Sequence, residues 1–170
     1  MVAYFPLTEP LVRGLKNYLV TYLPSKLQDL ITEIGDGISL DPPQPAYIFP
    51  FDKGDVVDQY PHIQIIPERE DFSDRISSEF VTDVDNWMSM SIIMVGGDEE
   101  ILSFQVIRYV RALVELLYDL GRDDALRNSM MGAKCFDVKI RSIQHLSAGG
   151  NQAFARGAVF SINIRTREGS

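Results

Sequence analysis

The sequence predicts a single α+β domain over residues 1–170, in which an antiparallel or mixed β-sheet packs against one long helix. Two kinds of pattern support this prediction. Apolar residues recur at helical spacing over residues 99–120, and alternating strand patterns lie before this segment, at 87–95, and after it, at 136–145 and 154–167. A chain of 170 residues with 45% hydrophobic residues is large enough to bury its own core.

The N-terminal region predicts a helix pair or one kinked helix beside the sheet. Thr8 suits the N-cap of the first segment. Pro24 disfavours helical geometry at Leu23 and suits the start of a second segment. Gly35 stands where a left-handed C-cap is expected. The apolar positions that recur at helical spacing are Leu11, Leu15, Tyr18, Leu19, Tyr22, Leu27, Leu30, Ile31 and Ile34.

Residues 35–61 are rich in proline and glycine and predict a loop region with one short strand at 46–49. A further strand is predicted at 62–66, with Ile63 and Ile65 on one face. Pro67 either stops this strand or places it at the edge of the sheet, because proline has no N–H to donate to a neighbouring strand.

A charged segment, 68–85, follows and shows no single period. It predicts either a solvated hairpin or long loop, or an extended arm that packs on a neighbouring molecule. The segment supplies five candidate interface residues: Glu68, Arg69, Asp71, Phe72 and Arg75.

In the strand at 87–95, the apolar stripe of Met88, Met90, Ile92 and Met94 is predicted to face the core. Asp98 is the predicted cap of the long helix at 98–120, and Gly121 its C-cap. The predicted buried stripe of this helix is Ile101, Phe104, Ile107, Val110, Leu113, Val114, Leu117 and Leu120. The predicted solvent face is Ser103, Arg108, Arg111, Glu115 and Asp119.

In the first of the two closing strands, Phe136, Val138 and Ile140 are predicted to share one face. Turn residues around Gly149-Gly150-Asn151 join it to the last strand as a hairpin. Arg156, Arg165 and Arg167 lie on or near that last strand. They either meet an acidic partner or a neighbouring subunit, or protect an edge strand from aggregation.

Candidate catalytic or metal-binding groups are few. Cys135 is interpreted as a structural thiol, and a nucleophilic role would need a base nearby. His62 and His145 lack the close spacing of a metal site. Gly96-Gly97-Asp98-Glu99 lacks the lysine and spacing of a phosphate-binding loop and is interpreted as a tight turn. Three aspartates, Asp52, Asp55 and Asp58, lack the pattern of a calcium loop. No cofactor or metal is therefore predicted.

Composition limits the partners. The formal net charge of -8 opposes sequence-independent binding to nucleic acid. The same charge suits a wall along which DNA slides without adhering. No apolar run approaches the ~18 residues of a membrane-spanning helix, so no membrane contact is predicted. A single cysteine cannot form an internal disulfide.

The order of elements, more than any one residue, resembles the tail terminator and tail-completion proteins of long-tailed bacteriophages. An N-terminal helical region precedes the strands Pro45-Ala-Tyr-Ile-Phe-Pro50 and Pro61-His-Ile-Gln-Ile-Ile-Pro67. The strand at 87–95 and the helix containing Ile107-Arg-Tyr-Val-Arg-Ala-Leu-Val114 come next. The chain then ends in two strands, the last containing Phe160-Ser-Ile-Asn-Ile-Arg165.

This resemblance implies a non-enzymatic virion protein, assembled in the host cytoplasm and located at the phage neck or tail. It implies a ring, commonly of six subunits, that caps the tail tube and joins the tail to the head. The partners implied are other copies of the chain, the tail tube protein, head connector or adaptor proteins and, in contractile tails, the sheath. DNA passes through the lumen without sequence-specific binding.

Two alternatives stay open. The first alternative to a tail terminator is a head-closure or adaptor protein of the same neck. The second is a monomeric enzyme or ligand-binding domain with a pocket between sheet and helix. Solution mass separates the monomeric class from the ring-forming classes.

Overall fold

The fold is α+β, with helices on one face of a five-stranded mixed sheet. The computed structural model describes residues 8–51, 59–73, 82–149 and 153–168. In the described part, three helices lie in the order α1 (Thr8–Ile34), α2 (Glu99–Arg122) and α3 (Asp124–Met131). The strands are β1 (Ile48–Phe49), β2 (His62–Phe72), β3 (Thr82–Gly96), β4 (Cys135–Gly149) and β5 (Phe154–Glu168).

Helix α1 is continuous through Pro24, so the predicted helix pair is wrong. Pro24 is exposed, whereas Leu23 and Leu27 on either side of it are each only 1% exposed. The two halves therefore share one buried stripe, and packing of this stripe outweighs the cost of proline inside a helix. The hydroxyl of Tyr18 donates to the carbonyl oxygen of Leu116 at 2.8 Å and joins α1 to α2.

The sheet has the order β1-β2-β3-β5-β4, and β1 is parallel to β2 over only two residue pairs. All other neighbouring strands are antiparallel. Pro67 does not stop β2. It lies where the register shifts, between Pro67 and Arg69, on the stretch of β2 that β1 does not cover. The prediction of an edge position for Pro67 is confirmed.

Strands β2 and β3 form one long hairpin, which we call the ribbon. Residues 68–72 and 82–85 of the charged segment are strand, and residues 69–72 pair with 84–87 in this ribbon. Of the predicted alternatives, the described ends agree with the hairpin, and residues 74–81, including Arg75, lie outside the described residues.

The apolar stripe of β3 faces the core as predicted. Met88, Met90 and Ile92 are fully buried and Met94 nearly so. Helix α2 covers this face together with α1, and Phe160 of β5 is buried at its centre. We call this the core side of the sheet.

The N-cap of α2 is confirmed, since Asp98 Oδ1 accepts from the backbone N–H of Ile101 at 3.0 Å. The predicted buried stripe is wrong for the first half of the helix, where Ile101, Phe104 and Ile107 are exposed. The residues buried there instead are Leu102, Val106, Arg108, Tyr109 and Ala112. This helix is apolar on two faces, and α1 with the loop after it decides which face is covered.

Arg108 does not face water, contrary to the prediction, because that loop covers it. Its guanidinium donates to both carboxylate oxygens of Asp36, and the Nη1–Oδ1 distance is 2.9 Å. The hydroxyl of Tyr109 donates to the carbonyl oxygen of Asp41 in the same loop. Hydrogen bonds from Arg108 hold the pKa of Asp36 below its ordinary value of 3.8.

Two features around the end of α2 were not predicted correctly. Gly121 lies inside the helix and not at its C-cap. A Cβ atom there would stand 2.6 Å from the carbonyl oxygen of Val138, so glycine permits the close approach of α2 to β4. Helix α3 was not predicted, and Asp123 Oδ1 caps it by accepting from the N–H of Leu126 at 3.0 Å.

Glu115 of α2 makes two ion pairs, one at 2.6 Å to Lys26 Nζ that joins α2 to α1 and one at 2.9 Å to Arg111 Nε within α2. Hydrogen bonds from Lys26 and then from Arg111 lower the pKa of Glu115 from its ordinary value of 4.5. A lowered pKa in the folded state means stability that is present above pH 4.5 and is lost as pH falls through the folded value.

We therefore expect Glu115→Gln to flatten the fall in unfolding free energy below pH 4.5. The effect is below about 1 kcal/mol, because the carboxylate is partly exposed. Denaturant unfolding between about pH 6 and pH 3 measures it, with the exposed Glu100→Gln as the matched control. Parallel pH curves for wild type and Glu115→Gln would contradict this role.

No helix in the described part of the chain is long and apolar enough to cross a membrane.

Candidate subunit interface

Four of the predicted interface residues, Glu68, Arg69, Asp71 and Phe72, lie on the distal half of β2. Arg69 faces away from the core side, beside Trp87 of β3, and its Cζ stands 5.0 Å from the centre of the indole ring. Asp71 Oδ2 accepts from Arg69 Nε at 3.0 Å and from Trp87 Nε1 at 2.9 Å. Glu68 is exposed at the register shift. Arg69 and Asp71 thus fix each other against the ribbon surface.

Phe72 ends β2 on the opposite face of the ribbon from Asp71. It is paired with Val84, which is fully buried on the core side, and directly opposed residues point to the same face. Its side chain is 48% exposed. Glu70 is paired with Asn86 and shares this face with Phe72. The distal ribbon therefore presents an acidic and an aromatic side chain on its core side.

Arg165 and Arg167 lie on the distal half of β5, facing away from the core side. Arg165 Nε contacts Asp85 Oδ1 at 3.1 Å, and Arg167 binds both carboxylate oxygens of Asp83 at 2.8 and 3.2 Å. Both guanidinium groups lie 5.1 Å from the ring of Phe136. These arginines link β5 to β3 through ion pairs and to β4 through contacts with the Phe136 ring.

The alternative that these arginines protect an edge strand is wrong, because β5 lies between β3 and β4. Arg156 lies at the other end of β5 and pairs with Glu99 at the start of α2. The nine residue steps from Arg156 to Arg165 span roughly 30 Å of strand. The predicted interface residues therefore form two separate groups.

The outer edge of β4 is open in the described part of the structure, since β4 pairs only with β5 there. Its 15 residues include no proline. Residues 142–149 also carry no formal charge when His145 is neutral. Proteins usually block such an edge with proline, charge or a covering element, because its unpaired N–H and C=O groups can bind another strand. The β4 edge is thus an available surface for strand addition.

Helix α2 continues the apolar surface past this edge. Phe104, Ile107 and Tyr118 are 44%, 57% and 62% exposed. A groove of about 280 Å³ lies beneath Tyr118, and its walls include Leu117, Gly121, Arg122, Val138 and Ile140. We call it the Tyr118 groove. A second groove of about 280 Å³ lies between Ile107 and Leu146, and we call it the Ile107 groove.

The β2 edge differs from the β4 edge. Beyond β1 it contains Pro67, a register shift and the charged residues of the ribbon. These features oppose the pairing of two β2 edges with each other. The described sheet therefore has two unlike edges, an uncovered edge at β4 and an irregular, charged edge at β2.

Cys135 is buried, and burial raises the pKa of its thiol to about 11. Its Sγ contacts the carbonyl oxygen of Asp137 at 3.9 Å. A thiol in this environment holds little thiolate at neutral pH, which agrees with a structural role.

We expect Cys135 to resist a disulfide exchange reagent at pH 8 in the native protein and to react fully in denaturant. Burial and the raised pKa both lower the available thiolate. Released chromophore counts the reacted thiols, and the denatured chain is the control. Rapid stoichiometric labelling of the native protein would contradict a buried thiol.

His62 and His145 cannot share a metal ion. They lie on β2 and β4, with β3 and β5 between them, a separation of roughly 14 Å across the sheet. They also point to opposite faces, since His145 pairs with Ala158 of the core side and His62 precedes the buried Ile63. Within the described ranges, no group of three potential metal ligands converges.

The Gly96-Gly97 segment is a turn between β3 and α2, and Asp98 is occupied in capping α2. The three aspartates at 52, 55 and 58 lie outside the described residues.

No protein-family model matches this chain. No curated protein matches its sequence either.

The sequence did not predict which strand edge is open, nor the Tyr118 groove beside it. The alternating pattern at 136–145 indicates a strand but not its place in the sheet order. Tyr118 was absent from both predicted faces of α2. Ile107, Val114 and Tyr118 recur at helical spacing and form a second apolar stripe, and that stripe was the available signal.

Proposed function

We propose that this chain is a structural protein of a long-tailed phage, a tail terminator that closes into a ring on the end of the tail tube. The observation that supports this most is the unlike pair of sheet edges. An interface between two different surfaces is heterologous, and it generates a closed ring when its rotation returns to the first subunit. An interface between two identical β4 edges would instead give a two-fold dimer.

The order and kind of elements support the same proposal. A helix, a two-residue strand, a ribbon, a long helix and a closing hairpin follow one another as in the phage tail-end proteins that the sequence resembles, and the added helix α3 lies between the long helix and the hairpin. The ring would contain commonly six copies. One face of the ring would contact the tail tube, and the other would contact the head connector. Its rim would contact the sheath where a sheath is present.

Charge supports passage of DNA through such a ring. The chain carries a formal net charge of -8, and every subunit of a ring adds this charge once more. An acidic lumen repels phosphates and keeps DNA moving, without sequence-specific contacts.

The test is to mix the purified protein with tail tubes from the same phage assembled in its absence. We expect it to bind one end of each tube and to stop further growth, as seen by electron microscopy of tube lengths. Binding to the portal complex with no effect on tube length would instead identify a head-closure or adaptor protein. Failure to bind either structure would contradict a neck function.

A further inference from the structure

We propose that the subunits of the ring join by strand addition. The distal ribbon of one copy, residues 68–72, lies antiparallel along the β4 edge of the next copy and closes the Tyr118 groove. This inference rests on the proposed ring and names its subunit contact. The occupant of the open edge is thus a second copy of this chain.

Strand direction permits this contact. Successive neighbours from β2 through β3 and β5 to β4 are all antiparallel, so β2 and β4 run in opposite directions. A second copy placed edge to edge in the same orientation therefore presents its β2 antiparallel to β4. Its core side then faces the same way as that of the first copy, and the helical layer continues over the junction.

The register of the added strand decides which of its side chains reach the Tyr118 groove. Glu70 and Phe72 face the core side of the ribbon, through their partners Asn86 and Val84. An added strand lies about 4.8 Å beyond β4, beneath the exposed flank of α2. The register across the sheet places Phe72 level with Cys135 and Glu70 level with Val138. The side chain of Glu70 in the second copy would therefore stand at the groove beneath Tyr118, whose wall on β4 includes Val138, and Phe72 would lie beside it, level with Cys135.

On the core side, charge complementarity favours the Tyr118 groove over the Ile107 groove. On the opposite face, the same register brings the Arg69–Asp71 ion pair level with the Lys139–Asp137 ion pair, so those charges are already paired within their own strands. Arg122 lies at the Tyr118 groove with its Cζ 5.1 Å from the Tyr118 ring, and within the described part it makes no ion pair. Glu70, equally, has no ion-pair partner there. Arg156 beside the Ile107 groove is already paired with Glu99. Of these two grooves, the Tyr118 groove is therefore the one that offers an incoming Glu70 a guanidinium without an ion pair among the described residues.

The short strand β1 explains why two copies joined by this contact would be rotated relative to each other. It covers β2 at Ile63 and Gln64, so a second copy cannot lie flush along the whole of β4. Contact is limited to residues 68–72 of the ribbon, and the second copy must tilt away at its β1 end. A repeated tilt of one sign is what a closed ring requires.

Charge reversal tests this pairing. Between identical copies, Glu70→Arg brings two guanidinium groups together at the contact, and Arg122→Glu brings two carboxylates together. We expect each variant alone to raise the concentration needed for assembly at least tenfold. An equimolar mixture should restore assembly, because the two variants can alternate around the ring. At one contact the introduced arginine then faces the introduced glutamate, and at the next the native Glu70 faces the native Arg122. Light scattering gives the mass, and circular dichroism shows that each variant is folded.

Arg13→Glu is the matched control, since Arg13 is exposed on α1 and pairs only with Glu9 among the described residues. It should assemble like the wild type. If the wild type forms rings and both reversals form them equally well, the ribbon contact is wrong while the proposed ring stands. If only Arg122→Glu is impaired and the mixture stays dissociated, the β4 edge binds some other surface and the inference is overturned. A wild type that is monomeric at all concentrations overturns the proposed function itself.

Discussion

Gly14→Ala should lower the free energy of unfolding by roughly 1–3 kcal/mol, the usual cost of adding a methyl group to a filled interior. Helix propensity alone predicts the opposite sign, because alanine is favoured over glycine inside a helix by about 1 kcal/mol. Here a Cβ atom on Gly14 would stand 2.3 Å from the carbonyl oxygen of Met130 and 3.1 Å from Met131 Sδ.

The nearest obstacle is a backbone atom, so α3 as a whole would have to move away from α1. We expect the steric cost to outweigh the propensity gain. Chemical denaturation at one fixed protein concentration measures the change, so that assembly affects both proteins equally.

Gly97→Ala is the matched control, because no heavy atom lies within 4 Å of a Cβ placed there. Its unfolding free energy should stay within about 0.5 kcal/mol of the wild type. If Gly14→Ala were as stable as the wild type or more stable, the close packing of α1 on α3 would be contradicted.

If the proposed ring forms, Tyr118→Glu should convert it into folded monomers. The side chain is 62% exposed, so its loss removes little from the isolated fold. The introduced carboxylate would stand four residues before Arg122, a spacing that stabilises a helix slightly. In the assembly the same carboxylate would meet Phe72 and repel Glu70 of the second copy, and it would compete for Arg122.

Ile107→Glu is the matched control for this change. It lies on the same helix at 57% exposure and also precedes an arginine by four residues, Arg111. Because it lines the Ile107 groove, it should leave the ring intact. Analytical ultracentrifugation gives the masses. Rings formed equally by Tyr118→Glu and the wild type would contradict a subunit contact at the Tyr118 groove.

Features governed by neighbouring residues were predictable from the sequence. The stripe of Met88, Met90 and Ile92 follows from strand alternation, and the Asp98 cap follows from a short side chain placed just before a helix. Both depend on a few consecutive residues. The α+β class follows from such local patterns summed over the chain.

Features set by distant residues were not predictable. The buried face of α2 depends on where α1 and its following loop lie, as the pairing of Arg108 with Asp36 shows. The insertion of β5 between β3 and β4 leaves β4, and not the last strand, at the edge. Continuity of α1 through Pro24 likewise depends on packing of Leu23 and Leu27 against the rest of the core.

The candidate interface divides in the same way. The charged residues at 68–71 led to the prediction that the ribbon segment contacts a neighbouring molecule, and this stays a prediction. No local pattern in the sequence indicated that a free strand edge and an exposed tyrosine would stand side by side. That arrangement depends on the strand order and on the orientation of α2.

Electron microscopy of the purified wild-type protein tests the central claim most directly. If the proposed ring is right, we expect closed rings with a central hole and of one size, such as six subunits, at concentrations where Tyr118→Glu is monomeric. Single small particles at every concentration, or two-fold dimers without a hole, would contradict it.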